Sequence, residues 1–271
     1  WKPDDKLASC LESKKLWGAG VSQRMLKTLA KDGFKKFALF LGDINAGANH
    51  PKVALLAKEL GYLYGPYDSY HSVHHPSAKE TWPTAQFDME AYQKGAMKRA
   101  DGSYYHGFKK IGRKINPEFA LPYMKKRVNS LLAKLQYTNW FIDCDAYGEL
   151  HNDYSPAHPL NQEKDAFVRT QRMKWLSDEL GLVVSSEGGV GYSIPGIHAA
   201  HGMMTPVFGF SDPDMRTKGT KHYLGTYWPP DGPHIMVKQV PLKAYYYKFH
   251  YDPRYRLPLY QAAFHDCIVT T

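Results

Sequence analysis

Trp140-Phe141-Ile142-Asp143-Cys144-Asp145-Ala146-Tyr147-Gly148-Glu149 is the stretch on which the fold turns. Three apolar residues ending on an acid, in a span too short for a helix, predict a buried strand over 140–143 that stops at its carboxylate. Downstream the pattern returns: Leu182-Val183-Val184-Ser185-Ser186-Glu187 ends on an acid and runs into Gly188-Gly189. Residues 162–180 between them have helical spacing, so the two strands are joined by a helix and are expected to lie parallel.

Working outward, the alternation continues. Met25, Leu26 and Leu29 mark a helix over 21–31, before the strand 37–41. Val53, Leu55, Leu56 and Leu60 mark a second helix over 50–60, before the strand 62–64. A further helix spans 118–135, and later strands are expected at 206–210 and 264–269. About six strands alternating with helices over 271 residues predict a (β/α)8 TIM-like barrel, incomplete within this segment. A doubly wound open sheet is the alternative, but no GxGxxG turn follows any strand. Between residues 69 and 117 the periodicity fails, and Ala100-Asp101-Gly102-Ser103-Tyr104-Tyr105 reads as a hairpin turn. A connection this long after an early strand reads as a substrate loop. The whole chain, 1–271, is expected to be a single catalytic barrel domain cut from a longer multidomain protein, since it opens on Trp1 rather than Met.

Composition narrows the class. The chain is 43% hydrophobic and 23% charged, which excludes disorder, coiled coil and collagen. No apolar run is long enough to span a bilayer, and no signal peptide is visible. A formal charge of +9 admits anionic partners, but the basic residues are scattered and no nucleic-acid motif accompanies them. Cys10, Cys144 and Cys267 have no metal-ligand spacing and read as buried thiols. Twenty Tyr, 6 Trp and 13 His gather in loops such as 65–71, where rings that stack on one face and hydrogen-bond at the edge suit a sugar.

Asp143 and Glu187 close their strands at the edge where a barrel holds its catalysts. Strand alternation places Asp143 and Asp145 on one face and Cys144 on the other. Converging carboxylates imply either split pKa values or a bound cation. Split values are what glycoside hydrolysis requires of its acid pair.

These residues carry a resemblance. The run 141–149, Asp153-Tyr154-Ser155-Pro156-Ala157-His158-Pro159, Ser186-Glu187-Gly188-Gly189, His198-Ala199-Ala200-His201-Gly202-Met203-Met204-Thr205-Pro206 and the stretch 251–266 resemble the catalytic barrel of glycoside hydrolase family 129, α-N-acetylgalactosaminidases related to the family 101 endo-enzymes. The resemblance implies a retaining double displacement on an α-linked sugar, an N-acetylgalactosaminide of mucin-type O-glycans, with Asp143 as nucleophile and Glu187 as acid/base. Asp145 is the rival nucleophile, or else a sugar-binding neighbour. The partner implied is a carbohydrate, as glycan or glycoprotein, without cofactor or metal ion, and the location is secreted, periplasmic or cell-surface.

Further substrate-binding candidates are Asp43 and Asp68 at strand ends, Tyr67, Tyr70, His71 and Trp82 in the aromatic loops, and His201 and Asp266 in the family-like motifs. Arg254 and Arg256 read as loop anchors. Two rivals remain. A metal-dependent hydrolase would use His71, His74 and His75 with Asp143, Asp145 and Asp266, although HxxHH in an irregular loop lacks one-face geometry. A non-catalytic carbohydrate-binding barrel would be expected to have lost one of the two carboxylates, and both are present.

Overall fold

The computed structural model describes residues 20–201, the backbone of Trp17–Gly18 and Ile268–Val269, and Gly219. All but Gly219 lie in one compact unit. The expected strand at 206–210, most of that at 264–269, Asp266, Arg254, Arg256, Cys10 and Cys267 fall outside the described residues.

Five strands form a curled parallel half-barrel: β1 (Ala38–Leu41), β2 (Leu63–Ser69), β3 (Asn139–Asp143), β4 (Val183–Glu187) and β5 (Ala199–His201). Each pairs with the next in sequence, and Ile268–Val269 adds a parallel edge beside β5. An unreversed order is the winding of a barrel, and it has no switch point of the doubly wound kind. Helices α1 (Gln23–Lys31), α2 (Pro51–Glu59), α3 (Met89–Lys94), α4 (Pro117–Leu132) and α5 (Gln162–Lys174) complete the unit. Asn116 and Asn161 cap α4 and α5, each accepting first-turn N–H groups. Among the described residues no helix is long and apolar enough to cross a membrane.

Strand parity sorts the side chains. Trp140, Ile142 and Val184 are fully buried in the core with Met124, Val128 and Met173 of the helices. Phe141 and Asp143 alternate with them and take the opposite, inner face. Register then sets the acids side by side: Ile142 pairs with Ser186, so Asp143 and Glu187 follow at the same level on neighbouring strands.

β2 runs five residues past the expected end at Tyr64, through Gly65-Pro66 to Ser69. Pro66 is tolerated where the pairing with β1 stops, at Leu41. Gly65 is required, because a Cβ there would lie 1.9 Å from the Asn139 carbonyl oxygen of β3. The stretch between β2 and α4 is partly ordered by the short antiparallel pair Ser72–Val73 and Arg113–Lys114. The expected turn at 100–105 is present, closed by Lys98 bridging Tyr104, with Gly102 at φ 81°.

Beneath the end of β3 lies a buried ionic network. Arg172 of α5 pairs with Asp145, its Nε donating to Oδ2 at 3.0 Å. Arg169 donates to Asp165 at 2.6 and 3.2 Å and to the Cys144 carbonyl at 3.1 Å. None of the four charged residues exceeds 3% exposure. Two carboxylates against two guanidiniums leave no net charge, and only full pairing makes such burial tolerable.

Two consequences are measurable by urea denaturation. Gly65→Ala should destabilise by at least about 1–3 kcal/mol because the backbone of β3 blocks the new methyl, whereas Gly191→Ala, with open space around it, should stay within about 0.5 kcal/mol. Arg172→Met should cost about 3–5 kcal/mol, since Asp145 would remain buried without its principal partner.

Candidate active site

A cavity of about 700 Å³ opens at the C-terminal ends of β1 to β4. Asp143, Cys144, Tyr147, Glu149 and Glu187 form one side, Gly42, Asp43, Tyr67 and Ser69 another, and residues of the 69–117 insertion, including His71, Trp82, Phe108 and Lys114, the rest. Trp82 and Phe108 meet edge-on at 6.0 Å.

The two acids converge. One oxygen of each, together with Cys144 Sγ, lies within 4.8 Å of the others. Tyr67 Oη donates to Asp143 Oδ2 at 2.6 Å, and its ring stacks on Phe141 with centroids 5.5 Å apart. Burial and the Asp143 charge push the Tyr67 hydroxyl up, so it remains a donor. Burial, reinforced by Asp143, raises the Glu187 carboxyl above the ordinary glutamate value. Desolvation and the neighbouring Asp143 and Glu187 charges likewise keep Cys144 a thiol.

Cys144 corrects an expectation. It was placed by alternation on the face away from Asp143, but the strand ends at Asp143 and Cys144 takes a left-handed φ of 65°. That turn brings its sulfur into the cavity wall, 3.3 Å from Asp143 Oδ2 and 3.8 Å from Glu187 Oε2. Asp145 swings the other way. Fully buried on Arg172, it shares no face with Asp143 and does not line the cavity.

Asp68 and Tyr70 also fall behind the sheet rather than on the cavity wall. Because β2 continues to Ser69, parity sends Tyr67 and Ser69 inward and Asp68 towards α4, where Arg127 donates to Asp68 Oδ1 at 2.8 Å and the Tyr70 hydroxyl bonds the other oxygen. His201 lies on β5 with its ring edge-on to Phe40 and Phe141, outside the cavity lining. Asp43 does line it, with Oδ1 accepting from the Asn45 N–H at 2.7 Å.

The histidines proposed as metal ligands are dispersed. His74 bonds Thr81, His75 bonds Ser77, and His71 bonds Lys114. Among the described residues the convergent set is Asp143, Cys144 and Glu187, in which a protonated thiol joins an acid pair without imidazole. Lys114 and Glu149 were not anticipated as site residues. Lys114 lies in an aperiodic insertion that carries no positional signal, and Glu149 six residues past its strand, where alternation no longer applies.

Comparison with known proteins agrees with this architecture. The family model described as glycosyl hydrolases related to the GH101 family, GH129, matches residues 28–271. No curated protein matches. The ligand-free structure of the α-N-acetylgalactosaminidase NagBb from Bifidobacterium bifidum is similar at a TM-score of 0.60 and 17% identity, covering 99% of this chain and 41% of that one. Its GalNAc complex is similar at 0.58 and 18%, covering 91% and 36%. The chain thus spans about two fifths of the length of these relatives, and at this identity the likeness concerns the fold. On the family match over nearly its whole length, the chain belongs to glycoside hydrolase family 129.

Proposed function

We propose that this chain carries the catalytic centre of a retaining α-glycosidase built on a closed (β/α)8 barrel, with Asp143 as nucleophile, Glu187 as acid/base and an α-linked N-acetylgalactosamine as the sugar. The observation that carries the reading is the pair itself. Two strand-end carboxylates approach within 4.8 Å in one cavity, and burial raises the carboxyl of Glu187. An inverting pair needs about 6.5 Å or more to admit water between acid and base, whereas a retaining pair stands closer. The sugar is chosen on the name of NagBb, an α-N-acetylgalactosaminidase. Glycans of the mucin type lie outside the cytoplasm, which favours a secreted, periplasmic or surface protein.

The chemistry follows from the two environments. Asp143, oriented by the Tyr67 hydroxyl, attacks the anomeric carbon while Glu187 gives its proton to the departing glycosidic oxygen. The C–O bond to the aglycone breaks and an ester to Asp143 forms. Glu187, now a carboxylate, takes a proton from water, whose oxygen attacks the same carbon and releases Asp143. Two inversions restore the α configuration.

Proton NMR of aryl α-N-acetylgalactosaminide hydrolysis by the full-length protein should show the α-anomer first; the β-anomer would require an inverting mechanism. Cleavage of other aryl α-glycosides alone would change the sugar, and binding without turnover would leave a carbohydrate-binding barrel.

The acid role has a pH signature. Glu187 must be protonated to act, so activity is present below its pKa and lost as pH rises through it. Because that pKa is raised, the basic limb of kcat/KM should lie above the ordinary glutamate value of about 4.3 and vanish in Glu187→Gln. The same variant should lose about 10²- to 10⁴-fold on poor leaving groups and far less on dinitrophenyl glycosides, which depart without protonation. Asp143→Asn should abolish turnover of both.

A further inference from the structure

The wall contributed by the insertion carries an ion pair that the proposed bond-breaking steps do not use. Lys114 Nζ lies 2.6 Å from Glu149 Oε2 and 2.8 Å from His71 Nε2. The side chains of Lys114 and His71 are 10% and 9% exposed, that of Glu149 47%. The carboxylate therefore meets the open space, while the ammonium and imidazole stand behind it. All three line the cavity that holds Asp143 and Glu187.

The charge state of this group limits what it can bind. Burial lowers the His71 imidazole to about 4, so near neutral pH the ring is uncharged, and its Nε2, 2.8 Å from Lys114 Nζ and 3.2 Å from Glu149 Oε2, accepts from the ammonium in one tautomer and donates to the carboxylate in the other. His151, His71 and Lys114 around Glu149 hold its carboxyl well below the usual carboxylate range. One negative, one positive and one neutral group sum to zero, and elsewhere on the lining the single cation, Lys109, is outnumbered by Asp43, Asp143 and Glu187. A phosphate, sulfate or carboxylate ligand would find no net attraction here. A neutral polyol would, because Glu149 is a permanent acceptor and Lys114, facing Glu149 and His71, engages at most two of its three N–H donors.

We propose that Glu149, backed by Lys114, determines sugar specificity by binding two adjacent hydroxyls of a neutral sugar, one donating to Glu149 and its neighbour accepting from Lys114. This rests on the glycosidase reading and extends it to residues that touch the sugar away from the bond being broken. It also gives the insertion a role, since Lys114 arrives on the pair Ser72–Val73 and Arg113–Lys114 and closes onto the turn that follows the catalytic strand.

The test is a cycle between protein and substrate. Using the full-length protein, kcat/KM is measured for wild type and Glu149→Ala on an aryl α-glycoside that the wild type cleaves, and on its monodeoxy analogues at each ring hydroxyl. Two adjacent positions should each lose about 10- to 100-fold in the wild type, the range of a hydrogen bond to a charged group. Glu149→Ala should lower the parent by a similar factor, and one of those two analogues should then lose no more than about twofold further. If every analogue loses the same factor in both proteins, Glu149 holds no hydroxyl and the proposal fails while the glycosidase stands. If the wild type cleaves no aryl α-glycoside, both readings fall. Should Glu149→Ala not fold, Glu149→Gln serves for the same comparison.

Discussion

The left-handed turn at Cys144 is the constraint on which the site depends. A non-glycine residue at φ 65° is held there only by surroundings that over-determine it. Here the surroundings are two arginines of one helix. Arg169 grips the carbonyl of Cys144, Arg172 grips the carboxylate of Asp145, and the Tyr192 hydroxyl donates to the Asp145 carbonyl at 2.7 Å. The chain therefore leaves β3 in one direction, with Asp143 and Cys144 facing the cavity and Asp145 anchored beneath. Neutral isosteres could fill the same volume at less desolvation cost. What the charges add is direction, because a guanidinium fork binds a carboxylate and a carbonyl along defined vectors.

Above this anchor, the spacing of the catalytic pair is a matter of sheet register. Asp143 and Glu187 are the last residues of adjacent parallel strands, one position beyond the pair Ile142 and Ser186. Neither acid depends on a flexible loop for its position. Burial, reinforced by the neighbouring Asp143 charge, raises the Glu187 carboxyl, the direction an acid catalyst requires. Tyr67 belongs to the same frame, one strand over, paired in register with Phe141 and donating to Asp143.

The alternation of strands and helices, the parallel order and the two terminal acids were legible in the sequence because each rests on a local pattern. Short strands built on three successive apolar residues and ending on an acid survive into the structure at β3 and β4 nearly unchanged. What was not legible required knowing where a strand stops. Gly65-Pro66 reads as a break, but close approach to Asn139 makes the glycine part of the strand, and with that the parity of Asp68 reverses and it faces Arg127 instead of a sugar. At β3 the opposite error occurs: alternation was carried one residue too far, across a backbone reversal that no residue type announces, so Cys144 and Asp145 exchanged places. Lys114 joins the site through a contact 35 residues from Glu149 in sequence, a distance at which periodicity says nothing.

These two kinds of position divide the labour of the site. Register and the arginine anchor set the acid pair, and both lie in the barrel frame. The Lys114–Glu149 pair is the contact through which the insertion reaches the turn after β3 inside the cavity, beside others that tie it to the frame, such as Lys98 with Asp153 and Asp88 with Tyr123. Asp143 and Glu187 are spaced by the pairing of β3 with β4, whereas Lys114 is placed by the pair Ser72–Val73 and Arg113–Lys114. A barrel arranged in this way can alter which sugar it accepts while retaining the bond it breaks, since the groups that recognise hydroxyls and the groups that transfer protons are held by separate contacts.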